Sequence, residues 1–456
     1  MDAANYDVII IGAGQAGIPL AWGLAGKNRR VALIERARVG GSCVNFGCTP
    51  TKAAIAAARI AHLARRAGDF GIRTGAVTVD FPAVLGRAQT VAEASRRGIE
   101  DGFAGRDNPR LIRGHARITG RNAEGFVVRV ADDVLSARQV VLNSGTRSAV
   151  PPIPGLADVD FIHPGNWLRR RVLPSRLAII GSGAVGLEMA QFYRRMGSAV
   201  TVIDVAPRIA GQEDADVADA LQQVLAAEGI AFRLDARIAA VEGTKEGVVV
   251  RLADGEIAAS HLFLAAGRRP NTDDLGLETV GLAVSARGIV PVDARLATAV
   301  PGLWAAGDIR GGPMFTHTAW DDHRILLSQL AGDGVRTTER IVPWAIFTDP
   351  ELGRVGMTGA QARADGRAIS VARFPMQRSG KAAELGEAEG FIKVVADAGT
   401  KRLLGAAVLA LDGAELVHAY VDLMNAGAPY TVLRDSVQAH PTLSEAVQSA
   451  VAALDT

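Results

Sequence analysis

The chain contains two cysteines, Cys43 and Cys48, whose spacing favours a redox-active disulfide. Gly47 gives the intervening backbone the freedom to bring the two α carbons within the roughly 4.4–6.8 Å that a disulfide requires. Pro50 fits the first turn of a helix predicted over residues 53–66, so we expect Cys48 near a helix N-terminus. The positive end of a helix favours the thiolate, which is the form of cysteine that exchanges disulfides.

Two other interpretations of the cysteine pair fit the sequence less well. Inert buried thiols need neither this spacing nor an adjacent glycine and helix start. A structural zinc site needs four ligands, but the nearest histidine is His62 and the chain has no second pair of cysteines. We therefore predict a redox pair and no metal site.

A dinucleotide-binding pattern lies just before the cysteines and is expected to position them. An apolar strand at residues 7–11 runs into Gly12, Gly14 and Gly17, and a second strand ends at Glu35. Such glycines let the backbone approach a pyrophosphate at a helix N-terminus, and the acid accepts hydrogen bonds from an adenosine ribose.

The same pattern recurs 169 residues later, since 12, 14, 17 and 35 become 181, 183, 186 and 204. The repeated residues are Gly181, Gly183, Gly186 and Asp204. One copy alone could be a glycine-rich turn without a ligand, but two copies in register favour two bound dinucleotides.

The positions of the two copies indicate which cofactor each one binds. The first lies beside the cysteines, so we expect it to hold FAD, and the second to hold the NAD(P)H that reduces the flavin. Asp204 favours the free ribose hydroxyl of NADH, whereas Arg208 could attract the extra phosphate of NADPH. The sequence therefore favours NADH over NADPH.

Composition excludes several other classes of partner. The chain has 456 residues, of which 48% are hydrophobic and 21% charged, with a formal net charge of +2. The basic residues are spread along the sequence, so we expect neither nucleic acid nor a membrane surface as a partner. No apolar run approaches the roughly 18 residues of a membrane span, and the first strand leaves no room for a signal peptide. We predict a cytoplasmic protein.

The predicted fold class is α/β, with two Rossmann-like dinucleotide-binding domains and a C-terminal α+β domain. The two dinucleotide units end in strands that stop on small residues, and Pro151–Gly155 and Arg269–Thr272 are predicted linkers after them. The predicted divisions are residues 1–150 for the first part of the FAD-binding domain, 151–270 for the NAD(P)-binding domain, 271–338 for the second part of the FAD (central) domain, and 339–456 for the C-terminal domain.

Several runs together resemble the class I flavoprotein pyridine nucleotide-disulfide oxidoreductases over essentially the whole chain. They are residues 43–52, the two glycine motifs, 267–272, 306–308 and 440–442. Residues 143–146, 150–155 and 315–322 resemble the mercuric-reductase-like branch, which includes the reactive-chlorine-resistance flavoproteins.

The resemblance implies a role for each residue of the predicted site. Cys48 would face the flavin and Cys43 would attack the substrate. Lys52, paired with Glu188, would sit beside the flavin ring and stabilise negative charge on it. The predicted cofactor-binding residues are Gly12, Gly14, Gly17, Glu35, Ser42, Lys52, Gly145, Asp308, Gly181, Gly183, Gly186, Asp204 and Gly267.

A second catalytic group is implied near the C-terminus. In the family, the histidine corresponding to His440 comes from the partner subunit and moves a proton for the outer thiol, while Glu445 orients its ring. The resemblance thus implies a homodimer in which residues 339–456 form the dimerisation domain. Without the family, a His-Pro turn and a surface lysine are ordinary structural features. No role is predicted for His317, His323 or the acidic pair at residues 321–322.

The predicted function is an enzyme that passes electrons from NAD(P)H through FAD to the Cys43–Cys48 disulfide and on to a small oxidised, thiol-reactive substrate. Mercuric reductase and dihydrolipoamide dehydrogenase are alternative activities. No cysteine follows Cys48, whereas true mercuric reductases use a further C-terminal pair, so efficient mercury reduction is not expected. An alternative of another class is a flavin-loaded redox sensor or a subunit of a larger complex.

Overall fold

The computed structural model describes residues 4–455, and the first part of the chain contributes six strands to a seven-stranded sheet covered by helices. Its central strands are almost continuously apolar, as is typical of parallel strands buried on both faces. The strands are β1 (Ala4–Ile11), β2 (Val31–Glu35), β3 (Arg110–Arg113), β4 (Ala116–Asn122), β5 (Gly125–Val130) and β6 (Asp133–Leu142), and the helices are α1 (Gly17–Ala25), α2 (Gly41–Asn45), α3 (Cys48–Arg65) and α4 (Phe81–Phe103).

The next part of the chain builds a second, smaller parallel sheet with an antiparallel three-stranded sheet beside it. The strand order of the parallel sheet is β10-β9-β8-β14, and that of the antiparallel sheet is β11-β12-β13. The elements are β7 (Thr146–Ser148), β8 (Arg176–Ile180), β9 (Ala199–Ile203), β10 (Ile230–Arg233), β11 (Ile238–Thr244), β12 (Gly247–Leu252), β13 (Gly255–Ala259), β14 (His261–Leu264) and β15 (Arg268–Pro270), with helices α5 (Ala184–Met196) and α6 (Ala215–Ala227).

The sequence repeat is also a structural repeat. In the first sheet Ile10 pairs with Leu33, and in the second Ile179 pairs with Val202, which are the same two positions displaced by 169 residues. Both pairs are parallel, and in each unit a glycine loop leads from the first strand into a helix. The predicted α/β class with two dinucleotide-binding units is confirmed.

The crossings between the two units differ from the predicted linkers. Strands β7 and β15 pair with each other in an antiparallel two-stranded sheet, with Arg268 opposite Ser148 and Pro270 opposite Thr146. The pairing satisfies backbone groups of both crossing segments at once, which two separate loops could not do. The crossings are therefore a shared structural element.

After the second crossing the chain returns to the first sheet. Strand β16 (Leu303–Ala305) pairs in parallel with β6, and a short 3₁₀ turn over Gly307–Arg310 follows it. Helix α7 (Thr316–Ala331) then packs on α1, where Ile325 and Leu326 share a buried cluster with Leu24.

The last part of the chain is a five-stranded antiparallel sheet with helices, in the order β17-β18-β21-β20-β19. Its elements are β17 (Trp344–Ile346), β18 (Glu351–Gly356), β19 (Ile369–Pro375), β20 (Phe391–Asp397) and β21 (Leu403–Ala410), with α8 (Gly359–Ala364), α9 (Gly380–Glu384), α10 (Gly413–Leu416), α11 (His418–Asn425), α12 (Thr431–Arg434) and α13 (Ser444–Ala452). Among residues 4–455, no helix is both long and apolar enough to cross a membrane.

One buried cluster joins the units around helix α3. It contains Ala54 from α3, Phe81 from α4, Phe192 from α5, and Leu352 and Leu409 from the last sheet. Helix α3 therefore has its middle fixed by all three parts of the fold, and its N-terminal residue is Cys48.

Candidate active site

The two cysteines lie on consecutive helices at the edge of a large cavity. Cys43 is in α2, and Cys48 is the first residue of α3, so the helix begins five residues earlier than predicted. Pro50 is compatible with this start, because the first turn of a helix needs no N–H donor there. Both cysteines are free thiols in the structure. A side chain at Gly47 would meet the Ser42 carbonyl oxygen at 2.9 Å, which explains the glycine between the cysteines.

The surroundings of the two sulfurs shift the pKa values of Cys43 and Cys48 in opposite directions. Hydrogen bonds from Cys43 and Thr316, together with the positive charge of Lys52, lower the pKa of Cys48 to about 6, against the effect of burial. The hydrogen bond to Cys48 and burial raise the pKa of Cys43. The pair therefore holds one proton on Cys43 and a thiolate on Cys48, as expected for a thiol at a helix N-terminus.

Thr316 is a contact that the sequence analysis did not identify. Its Oγ1 lies 3.1 Å from the Sγ of Cys48, although 268 residues separate the two. Thr316 is the first residue of α7, which the returning chain places beside the cysteines. It belongs to the run 315–322 already noted for its resemblance, but no spacing pattern distinguished it.

Lys52 and Glu188 meet in a close ion pair next to the cysteines. Lys52 lies one helical turn after Cys48, and its Nζ is 2.7 Å from Oε2 of Glu188 on α5. Glu188 is only 4% exposed, and its other oxygen accepts a hydrogen bond of 3.1 Å from the backbone N–H of Phe347. The Phe347 ring centroid is 4.4 Å from the Lys52 ammonium. The carboxylate and the ring together fix the position of the charge, and Phe347 is a second contact that the sequence analysis missed.

A third missed contact supports the loop between the cysteines. The indole N–H of Trp167 donates a hydrogen bond of 2.9 Å to the Phe46 carbonyl oxygen. Trp167 is 1% exposed and its ring packs edge-on against Phe192. It comes from a short 3₁₀ turn with no motif, so nothing in the sequence pointed to it.

The first glycine loop has the geometry of a dinucleotide site. Gly12 has a φ of 111°, and a Cβ on Gly17 would overlap the Gly12 carbonyl oxygen, so both positions require glycine. Glu35 ends β2, and its Oε2 accepts a hydrogen bond of 2.9 Å from the N–H of Ala13 within the loop. The acid is thereby held at the start of the loop, where an adenosine ribose would lie.

A single cavity connects this loop to the cysteines and fits a bound FAD. Its volume is about 1410 Å³, above the roughly 300–1,000 Å³ of ordinary small-molecule pockets. Among the residues that line it are Gly12, Gly14, Glu35, Ser42, Cys43, Cys48, Lys52, Gly145, Glu188 and Asp308. The cavity thus brings together most of the predicted FAD and redox residues.

Asp308 is held by the crossings between the two units. Its Oδ2 accepts a hydrogen bond of 3.0 Å from the hydroxyl of Thr146 on β7 and lies 3.6 Å from Nε of Arg268 on β15. Asp308 is in the turn just after β16, so three separate segments meet at this carboxylate. Asp308 is among the residues that line the cavity, and a carboxylate in such a position can accept hydrogen bonds from a ligand's hydroxyl groups.

The second glycine loop repeats this arrangement, although its three glycines do not line the cavity. Asp204 accepts hydrogen bonds of 2.6 and 2.7 Å from the backbone N–H and hydroxyl of Ser182 in the loop. A Cβ on Gly186 would overlap the Gly181 carbonyl oxygen, as in the first loop. Around Gly183, by contrast, the space is open to 4 Å, which leaves room for a pyrophosphate. Gly267 follows β14 and also does not line the cavity.

His440 and Glu445 form a pair away from the cysteines of their own chain. The Nδ1 of His440 is 2.9 Å from Oε1 of Glu445, and the backbone N–H of Thr442 donates a hydrogen bond of 2.9 Å to Oε2. These two contacts lower the pKa of Glu445. The His440 side chain is 77% exposed and does not line the cavity. The pair is oriented by its own hydrogen bonds and, in the described part of the chain, is not among the residues that line the cavity with the cysteines.

Asp322, the second residue of the acidic pair at 321–322, has a structural role. Asp322 is fully buried, and its carboxylate binds the Gly307 N–H, Arg310 and Arg340. Over residues 4–455, no three or more His, Cys, Asp or Glu side chains gather in a way that could hold a metal ion.

Comparison with known proteins places these features in a family. Residues 6–322 match the family model of the pyridine nucleotide-disulphide oxidoreductases, and residues 342–451 match the model of their dimerisation domain. A dihydrolipoyl dehydrogenase of Cupriavidus necator is 36% identical, over 99% of this chain and 98% of the relative. The pyridine nucleotide-disulfide oxidoreductase RclA of Escherichia coli is 34% identical, over 97% of this chain and 98% of the relative.

Solved structures are similar along their whole length. The Cu(II) complex of the HOCl-induced flavoprotein disulfide reductase RclA from Escherichia coli superposes with a TM-score of 0.90 at 33% identity, covering 99% of each chain. LpdA from Mycobacterium tuberculosis superposes with a TM-score of 0.90 at 26% identity, also covering 99% of each chain.

Proposed function

The chain belongs to the pyridine nucleotide-disulphide oxidoreductases, and on that premise we propose that Cys43 and Cys48 are its redox-active pair, with NADH as the electron donor. The observation that carries the proposal is the asymmetric thiol pair, with Cys48 as a thiolate one helical turn from the Lys52–Glu188 ion pair. Both groups open into the cavity that begins at the first glycine loop.

FAD, which enzymes of this family use together with NAD(P)H, supplies hydride transfer between the nicotinamide and the sulfurs when it is bound. Gly12, Gly14, Gly17 and Glu35 would hold its adenosine and pyrophosphate, and Asp308 its hydroxyl-bearing chain. Lys52 would keep a positive charge where the reduced ring becomes negative, and Glu188 fixes that charge in place. Ser42 and Gly145 complete the proposed lining.

In the proposed sulfur chemistry Cys43 is the attacking thiol, as the family resemblance implies, and its raised pKa means that it needs a base. In the dithiol form, Cys43 loses its proton to a base and its thiolate attacks a sulfur of the oxidised substrate. The substrate's S–S bond breaks, a mixed disulfide with Cys43 forms, and the leaving thiolate takes up a proton. The Cys48 thiolate then attacks the Cys43 sulfur, which restores the intramolecular disulfide and releases the second half of the substrate as a thiolate that takes up a proton from water. The substrate gains two electrons and the cysteine pair loses two.

The base for Cys43 is, in this proposal, His440 of the partner subunit. The match to a dimerisation domain, the exposure of His440 and its pairing with Glu445 support this role. Because the pair does not line the cavity of its own chain, we infer that a second chain supplies it. We therefore propose a homodimer in which each active site needs both chains.

Asp204 supports NADH as the preferred nucleotide. Its carboxylate would accept hydrogen bonds from a free ribose hydroxyl and repel a 2′-phosphate. Arg208, which could favour NADPH, already pairs with Asp219 at 3.2 Å. Gly181, Gly183 and Gly186 would hold the pyrophosphate of the nicotinamide cofactor, with Gly267 at the end of the neighbouring strand.

The proposed substrate is a small oxidised sulfur compound, as in the flavoprotein disulfide reductases. A second candidate is dihydrolipoamide oxidation, which the 36% identity to a dihydrolipoyl dehydrogenase favours. Mercuric ion is a weaker candidate because no cysteine follows Cys48. The proposed division into domains at residues 150, 270 and 338 and a cytoplasmic location remain predictions from the sequence.

An acceptor screen tests the proposal. Purified dimer would be given NADH or NADPH with small disulfides, lipoamide, hypochlorite-oxidised thiols, Cu(II) and Hg(II), and NAD⁺ with dihydrolipoamide. We expect NADH-dependent disulfide reduction that is lost in Cys43→Ser. If the fastest reaction is dihydrolipoamide oxidation, the second candidate is correct. If no acceptor is turned over, the flavin-loaded sensor or complex-bound subunit becomes the better account.

A further inference from the structure

Helix α5 carries a stripe of polar side chains that the proposed function does not fully explain. Glu188, Gln191 and Arg195 follow one face of the helix and are only 4%, 3% and 5% exposed. Such residues are seldom buried unless they are paired. All three are paired with the same short segment, residues 347–349, which connects β17 to β18.

The contacts between α5 and residues 347–349 form a network that follows one face of the helix. The N–H of Phe347 donates to Glu188 at 3.1 Å. Gln191 accepts from the N–H of Asp349 and donates to its carbonyl oxygen, each at 2.8 Å. Arg195 binds the Asp349 carboxylate at 2.7 Å. One helix face therefore fixes both the backbone and the side chain of this segment.

Helix α3 contributes charged residues of its own to the same network. Arg59 lies 2.5 Å from the second carboxylate oxygen of Asp349, and Arg65 donates to the Arg195 carbonyl oxygen at 2.6 Å. Arg59 is seven residues after Lys52, just as Arg195 is seven residues after Glu188. The Asp349 carboxylate thus joins α3 to α5 two turns beyond the Lys52–Glu188 pair.

We propose that segment 347–349 is a positioning element that holds Lys52 and Glu188 beside Cys48, with Gln191 and Asp349 as positioning residues. Phe347 contacts both members of the ion pair, so its place determines theirs. The segment belongs to the last unit of the fold, so the docking of that unit sets the charge around the redox pair. The inference rests on the proposed function, in which the Lys52 charge favours the Cys48 thiolate.

The surrounding charges must be counted in any test. Glu228 binds Arg195 at 2.7 Å, and Glu387 lies 3.4 Å from Arg59. His62 is close to the same network, and burial together with the charge of Arg195 lowers its pKa. A readout at Cys48 itself avoids confusion with the titration of these groups.

The test measures the pKa of Cys48 in the full-length holoenzyme. Cys43→Ser leaves Cys48 as the one thiol of the chain, and its alkylation rate by iodoacetamide is followed against pH. Gln191→Met and Asp349→Asn are introduced separately into this background. Gln223→Met, at an exposed glutamine on α6, is the matched control, and Lys52→Met reports the direct effect of the charge.

We expect Gln191→Met and Asp349→Asn each to raise the pKa of Cys48 by about half a unit, which is about a threefold slower alkylation at low pH. Lys52→Met should raise it as well, and Gln223→Met should not. If Gln191→Met or Asp349→Asn unfolds cooperatively on heating, the rise in the pKa of Cys48 is a local effect. The inference would be overturned if Gln191→Met and Asp349→Asn fold normally and leave the pKa of Cys48 unchanged while Lys52→Met shifts it. The proposed function would still stand in that case. An unchanged pKa in Lys52→Met would show that the proposed role of Lys52 is wrong, and the inference would fall with it.

Discussion

The acidity of one sulfur governs what this site can do, and single contacts set that acidity. Cys48 has three groups that favour its thiolate, namely Cys43, Thr316 and Lys52. Two of them donate a hydrogen bond to the sulfur and the third contributes positive charge. Because hydrogen bonds to a charged group are worth more than those to a neutral one, each donor matters to the thiolate fraction.

Thr316→Val should therefore raise the pKa of Cys48. The variant keeps the volume of the side chain and removes a donor that lies 3.1 Å from the sulfur. Loss of about 1.5 kcal/mol of charge-assisted hydrogen bonding corresponds to about one pKa unit. Half a pH unit above the wild-type pKa of about 6, a rise of about one unit would lower the thiolate fraction of Cys48 from about three quarters to about one quarter.

The pH dependence of Cys48 alkylation, in a Cys43→Ser background, measures this shift. Thr90→Val, at an exposed threonine on α4, is a suitable control because that hydroxyl binds only the Gly86 carbonyl oxygen. An identical profile for Thr316→Val and Thr90→Val would show that the Thr316 hydroxyl does not act on the sulfur.

At the level of elements, the second glycine loop contains one glycine that the fold requires and another that matters for nucleotide binding. A Cβ on Gly186 would overlap backbone, whereas a Cβ on Gly183 would have no atom beyond its chain neighbours within 4 Å. Gly183→Ala should therefore fold normally but place a methyl group where the pyrophosphate approaches. We expect the KM for NADH to rise about tenfold, which is about 1.4 kcal/mol of binding.

Steady-state kinetics and thermal unfolding of Gly183→Ala test this expectation together. Gly211→Ala, which also meets open space but lies outside the loop, should change neither quantity. A wild-type KM in Gly183→Ala would mean that the loop does not hold the nucleotide.

Helix α7 also bears on cofactor binding, through Asp322. This fully buried carboxylate binds the Gly307 N–H and both Arg310 and Arg340, so it fixes the turn that carries Asp308. Asp322→Asn should cost about 3–5 kcal/mol of stability, as expected when one partner of a buried ion pair is removed. It should also weaken FAD retention by tenfold or more, by roughly 1.4 kcal/mol per factor of ten.

The thermal midpoint and the fluorescence of FAD released on dilution measure the two effects of Asp322→Asn. Asp101→Asn changes an exposed carboxylate on α4 and should stay within about 0.5 kcal/mol of the wild type. Full retention of FAD in a destabilised Asp322→Asn would separate this residue from the cofactor site.

Local patterns explain why much of the fold could be predicted from the sequence. The glycine loops and the start of a helix near Cys48 depend on neighbouring residues, and the 169-residue repeat made the two sheets recognisable. Thr316, Trp167 and Phe347 could not be predicted, because each reaches the site from a distant segment without a motif. The pairing of β7 with β15 was missed for the same reason, since two short polar strands look like linkers until they meet.

At the scale of the whole molecule, the proposed dimer makes a numerical prediction. A chain with Cys48→Ser lacks the redox pair, and a chain with His440→Ala lacks the group given to the partner, so each homodimer should be inactive. In a statistical mixture half of the dimers contain one chain of each kind, and one of their two sites is intact. Activity should therefore recover to about one quarter of the wild type.

Co-expression of the two variants with different affinity tags measures this recovery. Mixing two chains that both carry Cys48→Ser, one of them also with His440→Ala, is the control and should give no activity. If His440→Ala alone keeps full activity, His440 has no catalytic role; if the mixed dimers stay inactive, it does not act across subunits.

The central claim is that electrons reach the substrate through the Cys43–Cys48 pair, and an anaerobic titration tests it most directly. Wild type and Cys48→Ser holoenzymes would be titrated with NADH and then NADPH while the visible spectrum is recorded. The account predicts that two electron equivalents from NADH produce a long-wavelength absorption band in the wild type, from the Cys48 thiolate beside oxidised flavin, and that Cys48→Ser lacks it. Simple bleaching of the flavin in both proteins would contradict the account, because the cysteines would then lie outside the electron path.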